Sequence, residues 1–387
     1  MVEERPVVVI GAGIVGLSIA YEISTRGEFC LVLESREKFA EGASSRNSEV
    51  IHGGFLSRKN SLKQRLCVIG GEEIKRRIGD WGIEWKECGK IVVAVEEIEF
   101  PRLKEIVEES RRIGVEASWL NPNQVRELEP ALAGDFSAAA WFPGSSVFDT
   151  HSYMEMMISK MENLGSGLLL GTRVRGIGLE NGFPMVFTQS ESFPAKAVIN
   201  ATGVDSDKLI SNHTRNYTSE LVDSENSERY VQKQEAWPGC WYRIHEKSTE
   251  GMRRLVYRTS TPDQPGLGVH TTPDWSGNGI RLGPDSQFLP NLPESFDLRH
   301  KFRDSTELRK HFISRLGALY PHITIDDLIP DQVGIRSRAY DSSNNSDFIF
   351  LKPEGSPRTM HLLGMESPGI TASPAIASKV AEWLSNL

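Results

Sequence analysis

Four β-branched residues run straight into a glycine-rich turn, Val7-Val-Val-Ile-Gly-Ala-Gly-Ile-Val-Gly16, and this limits what the chain can fold into more than any other feature. A continuous run of this kind reads as a strand buried on both faces. Leu17, Ala20, Tyr21 and Ile23 then share a face at helical spacing over residues 17–26, and Gly27 is placed to end that helix. Residues 29–33 read as a second buried strand that ends at Glu34. Strand, G-x-G-x-x-G, helix, strand and acid in this order describe a dinucleotide-binding unit, whereas the glycine spacing alone is weak. Gly11 permits the tight turn, Gly13 lets backbone approach a pyrophosphate, and Gly16 lets the helix pack on the strand. The free N–H groups at the helix start favour negative charge. Glu34 stands where a carboxylate accepts from ribose hydroxyls. A glycine-rich turn without a ligand is the competing reading, and it does not account for the full context.

The chain has 387 residues, too many for one simple core. Its net charge of −8 argues against nucleic acid, which is usually met by a basic patch. Cys30, Cys67, Cys88 and Cys240 are scattered without a C-x-x-C pair, so neither a disulfide framework nor a metal site is expected. There is no apolar run of membrane-spanning length. The opening Met-Val-Glu-Glu-Arg-Pro has the wrong charge for a secretory leader, and no Arg-rich, acid-poor transit peptide is present. The expected compartment is cytoplasmic, or mitochondrial for a processed chain.

Further along, helices are expected over residues 61–78, 98–113, 150–164, 306–319 and 375–384. Strands are expected over 89–95, 168–174 and 195–201, the last two returning to the first sheet. The polar stretch 211–228 reads as a surface loop. Alternating segments around Trp241, Leu255, 266–272 and 279–283 read as an antiparallel sheet. The class is α/β locally and α+β overall: a Rossmann-like unit of residues 1–88, 145–210 and 330–387, interleaved with a second domain of 89–144 and 211–329.

Two more segments bear on the ligand. Gly42-Ala-Ser-Ser-Arg-Asn-Ser-Glu-Val-Ile-His-Gly-Gly54 carries hydroxyl and amide side chains, and Arg46 adds charge-assisted bonds to phosphate. Val198-Ile-Asn-Ala-Thr-Gly-Val204 is a strand that ends in small residues, where backbone can lie against a ligand. A polar capping loop and a plain turn are the competing readings.

Together these segments resemble the flavin-dependent D-amino-acid oxidase superfamily, and within it the L-2-hydroxyglutarate dehydrogenases. The similarity lies in Ser44-Ser-Arg-Asn-Ser-Glu-Val-Ile-His52, Ser61-Leu-Lys-Gln-Arg-Leu-Cys67, Phe148-Asp-Thr-His-Ser-Tyr153, Gly266-Leu-Gly-Val-His270 with Thr272-Pro273, Arg281-Leu-Gly-Pro284, Gly334-Ile-Arg336 and Met365-Glu-Ser-Pro-Gly-Ile-Thr-Ala-Ser373, from end to end of the chain. The resemblance implies FAD along Gly11, Ala12, Gly13, Ile14, Val15 and Gly16, then Glu34 and Ser35, Ser44, Ser45, Arg46 and Asn47, Val174, and Ala201, Thr202 and Gly203. It also implies FAD at a C-terminal turn that includes Gly364, Pro368, Gly369, Ile370 and Thr371. It places a small-molecule substrate near His52, His270 and Arg336.

Those roles agree with the chemistry. A 2-hydroxy acid needs a cation for its carboxylate, and arginine binds one bidentately. It needs a base for its hydroxyl proton, and histidine suits that role. A packing role for His270, an ion pair for Arg336, and a backbone contact or covalent flavin link for His52 compete with these assignments. The sequence departs from the family pattern at Pro238, Tyr257-Arg258 and Phe55-Leu-Ser57, all on the substrate side. The expected activity is therefore FAD-dependent oxidation of an L-2-hydroxy acid to a 2-oxo acid. An amine or amino-acid oxidase, or an FAD-binding protein without turnover, is the alternative. The electron acceptor stays open among oxygen, a quinone and an electron-transfer protein.

Overall fold

A computed structural model describes residues 5–215, 234–259, 268–277, 279–286, 304–340 and 345–387. Val7–Ile10 lies inside a six-stranded sheet ordered Ile349–Leu351, Thr359–Leu363, Ala197–Asn200, Val7–Ile10, Cys30–Leu33 and Gly167–Leu169. Only the first of these pairs is antiparallel. Cys30–Leu33 and Ala197–Asn200 therefore flank the first strand, and Thr359–Leu363 from the C-terminal part of the chain joins one place further out. Val7, Val8 and Val9 are fully buried because helices cover one face and a β-meander covers the other.

On the helical face, Ile14–Thr25 and Leu62–Trp81 pack against Gly369–Ser385. The approach is close: a Cβ on Gly70 would lie 2.2 Å from the Thr371 carbonyl oxygen. Ser18 donates to Ser373 at 3.0 Å across the same seam. Ser61 caps Leu62–Trp81 by accepting from the Gln64 N–H, and Gly82 stops it in the left-handed conformation at φ 66°.

The second sheet has eight strands, ordered Leu328–Arg338, Glu235–Ile244, Ile280–Gly283, His270–Pro273, Leu255–Arg258, Lys90–Ala94, Ala138–Phe142 and Ser118–Leu120. It is antiparallel except where Leu255–Arg258 runs parallel to Lys90–Ala94. One face buries Ile91, Val93, Val256, Leu282 and Ile335 against Phe312, Leu316 and Tyr320. The other carries the candidate site.

Several expectations shift. The helix expected at 375–384 begins at Gly369, so the C-terminal turn ends at Pro368 and its last residues are already helical. The strand expected over 168–174 is the short edge Gly167–Leu169. Leu328–Arg338 pairs with Glu235–Ile244, so residues 330–338 belong to the larger sheet and not to the dinucleotide unit. Of the stretch expected as a loop, residues 211–215 are the end of the helix Ser206–Arg215, and residues 216–228 lie outside the described residues. The meander Gly176–Glu180, Phe183–Phe187 and Ser192–Pro194 was not expected.

Candidate active site

A single cavity of about 2040 Å³ runs from the first strand to the inner face of the larger sheet. That is roughly twice the upper end of ordinary small-molecule pockets. Gly11, Gly13, Ile14, Val15, Glu34, Ser35, Ser44, Arg46, Asn47, Val174, Ala201, Thr202, Gly203, Pro368, Gly369 and Ile370 all line it.

Backbone geometry explains the glycine turn. Gly11 sits at φ +104°, and a Cβ there would come within 2.7 Å of the Ala201 carbonyl oxygen. Gly16 does not line the cavity, because its Cα packs on the Gly11 carbonyl. Ala12 is likewise buried behind the lining, and its N–H donates to Glu34 Oε2 at 2.9 Å. Glu34 Oε1 accepts from the Arg36 N–H at 2.9 Å and the Ser35 hydroxyl at 3.2 Å. These bonds fix the carboxylate at the cavity wall. Ser44 accepts from the Ile14 N–H at 3.0 Å, which leaves its hydroxyl hydrogen available to an anion at the helix start.

Not every expected residue reaches the cavity. Ser45, Gly364 and Thr371 are absent from its lining. Gly364 is a backbone requirement, since its φ is +70° and a Cβ would meet the Asp347 carbonyl oxygen at 2.5 Å. Thr371 is a tie: its hydroxyl donates to the Val50 carbonyl at 3.1 Å and accepts from the His52 N–H at 3.0 Å. Arg46 donates to the Glu41 carbonyl, and Asn47 donates to the Ser44 carbonyl at 2.8 Å, so both also close their own loop.

The far wall follows from strand alternation. Tyr257 lies opposite His270, which pairs with Gly283; Trp237 pairs with Arg336 further across the sheet. Period-two alternation puts Lys90, Tyr257, His270, Trp237 and Arg336 on the same face. His270 is 3% exposed and stacks on Tyr257 with ring centroids 3.9 Å apart. Its Nδ1 lies 3.0 Å from the Gly268 carbonyl oxygen, an acceptor, so Nδ1 carries the proton. Nε2 is then the lone-pair nitrogen, buried and without a partner among the described residues. Burial, with the Lys90 and Arg336 charges, pushes His270 down to about 3. His52 is lowered too, by burial, Lys90 and His270.

Arg336 is half-buried and pairs with no carboxylate among the described residues. Its Nη2 donates to the Asp285 carbonyl at 2.6 Å and the Pro238 carbonyl at 3.3 Å, and its Nε to the Trp237 carbonyl at 3.4 Å. These neutral acceptors hold the guanidinium without cancelling its charge. They narrow the expected two-pronged grip, because Nη1 alone makes none of these bonds.

Sequence reasoning missed Lys90. It is fully buried, lines the cavity, and lies 4.3 Å from the Tyr257 ring centroid and 5.5 Å from that of Phe55. Its Nζ has no hydrogen-bond partner among the described residues. A signal was present: a lysine opening the apolar strand Lys-Ile-Val-Val-Ala is anomalous, since lysines are almost never fully buried unpaired. Lys63, Arg338 and Glu366 were missed as well. Lys63 Nζ sits 2.7 Å from Glu366 Oε1, and Arg338 Nε 3.1 Å from the same oxygen, which ties Leu62–Trp81 to the C-terminal turn. No helix among the described residues is long and apolar enough to cross a membrane.

The glycine-lined end of the cavity fits a dinucleotide, and the comparisons agree on that cofactor. The family model described as FAD dependent oxidoreductase matches residues 6–383. Among curated relatives, the mitochondrial L-2-hydroxyglutarate dehydrogenase of Arabidopsis thaliana is 28% identical, covering 98% of this chain and 83% of its own. L-2-hydroxyglutarate dehydrogenase of Escherichia coli K12 is 25% identical, covering 98% and 93%. Among solved structures, the FAD-bound, dithionite-reduced L-alpha-glycerophosphate oxidase of Mycoplasma pneumoniae superposes with a TM-score of 0.84 at 21% identity, over 99% of this chain and 95% of that one. Glycine oxidase of Geobacillus kaustophilus gives 0.78 at 19% identity, over 99% and 95%. The chain belongs to the FAD-dependent oxidoreductases of the D-amino-acid oxidase family.

Proposed function

We propose that this enzyme oxidises an L-2-hydroxy acid of the 2-hydroxyglutarate kind to the corresponding 2-oxo acid. One observation carries the reading: His270 presents a buried lone-pair nitrogen on the cavity-facing side of the sheet that also bears Arg336. The names of the relatives that span the chain support the substrate class.

In this reading Glu34 accepts from the adenosine ribose, and the N–H groups at the start of Ile14–Thr25 face the pyrophosphate. Pro368, Gly369 and Ile370, in the segment that Thr371 ties to His52, would hold the flavin end. The bound flavin supplies the acceptor for the hydride that leaves the substrate Cα. Arg336 holds the substrate carboxylate through Nη1. His270 Nε2 takes the hydroxyl proton, while the Gly268 carbonyl and the Tyr257 ring keep the imidazole in place. Two bonds break on the substrate, Cα–H and O–H, and a carbonyl forms.

The same wall argues against an amine substrate. The charged side chains grouped with His270 are Lys90 and Arg336, both cations. Glu366 is held by Lys63 and Arg338. A substrate arriving as an ammonium ion would meet like charge.

The test is anaerobic reduction of the purified holoenzyme. L-2-Hydroxyglutarate is expected to bleach the flavin spectrum. Bleaching by amino acids but not by hydroxy acids would move the enzyme to the amine-oxidising branch, and a flavin indifferent to both would make it a binding protein.

A further inference from the structure

The chemistry just described leaves one buried charge unused. Lys90 belongs to the same sheet face as His270, lines the cavity, and has no hydrogen-bond or carboxylate partner among the described residues. The ionisable groups that act on it are the Cys67 and Cys88 thiols, which burial pushes up to about 12 and about 11, so they stay neutral and offer it no counter-charge. The rings of Tyr257 and Phe55 face its ammonium, but cation–π contacts offset only part of the cost of burying an ion.

We infer that Lys90 receives a second carboxylate of the substrate, so that the site selects a dicarboxylic 2-hydroxy acid over a monocarboxylic one. The inference rests on the hydroxy-acid reading above and names the residue that sets its specificity for a second carboxylate. The sheet register supports it. His270 lies between the two cations in strand order: Lys90 is two strands away on one side and Arg336 three strands away on the other. Tyr257 lies on the strand between Lys90 and His270, and its ring touches both the ammonium and the imidazole. Gly283, beside His270 on the Arg336 side, adds no side chain to the floor there. Both cations already act on the imidazole, since each lowers its basicity.

A dianion lying between the two cations neutralises both. It therefore removes two of the influences that keep His270 from accepting a proton. The ligand that satisfies Lys90 is thus also the one that prepares the base. A monocarboxylate neutralises Arg336 alone and leaves Lys90 charged and unpaired in an apolar wall, which a buried charge tolerates poorly.

The test compares glutarate with butyrate, neither of which can be oxidised at a hydroxyl, as ligands of the wild-type holoenzyme, followed by perturbation of the flavin spectrum. Glutarate is expected to bind about 100-fold tighter, as for a buried charge pair. Lys90→Met is expected to lower that ratio to within a few-fold of one, and Lys90→Arg to restore most of it. In turnover, the ratio of kcat/KM for L-2-hydroxyglutarate over L-2-hydroxybutyrate should fall by a similar factor in Lys90→Met. Equal binding of glutarate and butyrate by the wild type overturns the inference, whether or not the variants fold. A ratio unchanged in Lys90→Met overturns it too. A glutarate preference that depends on Lys90, in a protein whose flavin no hydroxy acid reduces, keeps the inference and removes the hydroxy-acid reading.

Discussion

The two ends of the cavity are built on opposite terms. At the dinucleotide end, polar groups already have partners: Glu34 accepts from three donors, Ser44 caps the first helix, and Asn47 closes its own loop. At the sheet end, Lys90 Nζ, Tyr257 Oη, His270 Nε2 and Thr272 Oγ1 are all buried without a partner among the described residues. Buried polar atoms normally have partners, so such a cluster needs an explanation. The first end is a preformed cradle made of backbone. At the second, Lys90 and His270 line the cavity, and in the proposed reading their partners arrive with the substrate. The difference predicts that changes at the first end damage cofactor retention, whereas changes at the second damage turnover and tend to spare the fold.

The largest expected effect is at the sheet end. His270→Ala should lower the rate of flavin reduction by about 10²- to 10⁴-fold, the usual contribution of a positioned base, with FAD content unchanged. Stopped-flow reduction measures the first quantity and the flavin-to-protein absorbance ratio the second. Loss of flavin together with rate would erase the division between the two ends.

Next comes Gly11→Ala. The new Cβ would require a strained backbone and meet the Ala201 carbonyl oxygen at 2.7 Å. Moving that strand end distorts the cradle itself. FAD affinity is expected to fall by roughly 100-fold, about 3 kcal/mol, from combined strain and overpacking. Titration of the apoprotein with FAD measures it. An unchanged affinity would mean that the cradle is more pliable than its backbone contacts imply.

The same contrast explains what was legible in the sequence. The dinucleotide end is encoded in short stretches, with glycines where backbone must approach and Glu34 at a fixed offset, so strand, turn and helix could be read from neighbouring residues. Even there, Gly364 and Thr371 were misjudged, because one serves a turn and the other ties His52 to the C-terminal helix over a separation of 319 residues. The sheet end is encoded in register. Nothing local says that Lys90, Tyr257, His270 and Arg336 share a face, since that follows from pairings between segments that are separate in the sequence. His270 and Arg336 were found through a resemblance, and Lys90, which the resemblance did not supply, went unnoticed. Likewise, the domain boundary expected at residue 330 cuts through the strand Leu328–Arg338, whose partner is Glu235–Ile244, well upstream.

Lys90 also sharpens the contrast through stability. Burial lowers its ammonium to about 8, well below the ordinary lysine value of 10.5. Below pH 8 the folded protein carries the full cost of the buried charge; above the ordinary value both folded and unfolded chains are neutral and the cost is gone. Lys90→Met should therefore stabilise the protein at neutral pH by about 1–3 kcal/mol. The advantage should shrink as pH rises from 8 toward 10.5. Denaturant melts of the two proteins across this range measure it. A destabilised variant would show that Lys90 is a structural residue, as satisfied in place as the groups of the other end.

The smallest effect returns to the cradle. A carboxylate offers about four acceptor sites, and Glu34 gives two on Oε1 and one on Oε2 to its own loop. The remaining site on Oε2 is what a ribose hydroxyl would find. Glu34→Gln keeps the shape but puts an amide NH₂ where an oxygen was. If the amide takes the Oε2 position, it faces the Ala12 N–H as donor against donor and has nothing to offer a hydroxyl hydrogen. If it takes the Oε1 position, the Arg36 N–H loses its acceptor while the ribose contact survives. Either way one protein bond is lost, and FAD affinity should fall by no more than about tenfold, the scale of one hydrogen bond to a charged acceptor. An apoprotein titration that finds no change would assign the carboxylate wholly to holding residues 34–36 in place, and the cradle would then rest on backbone alone.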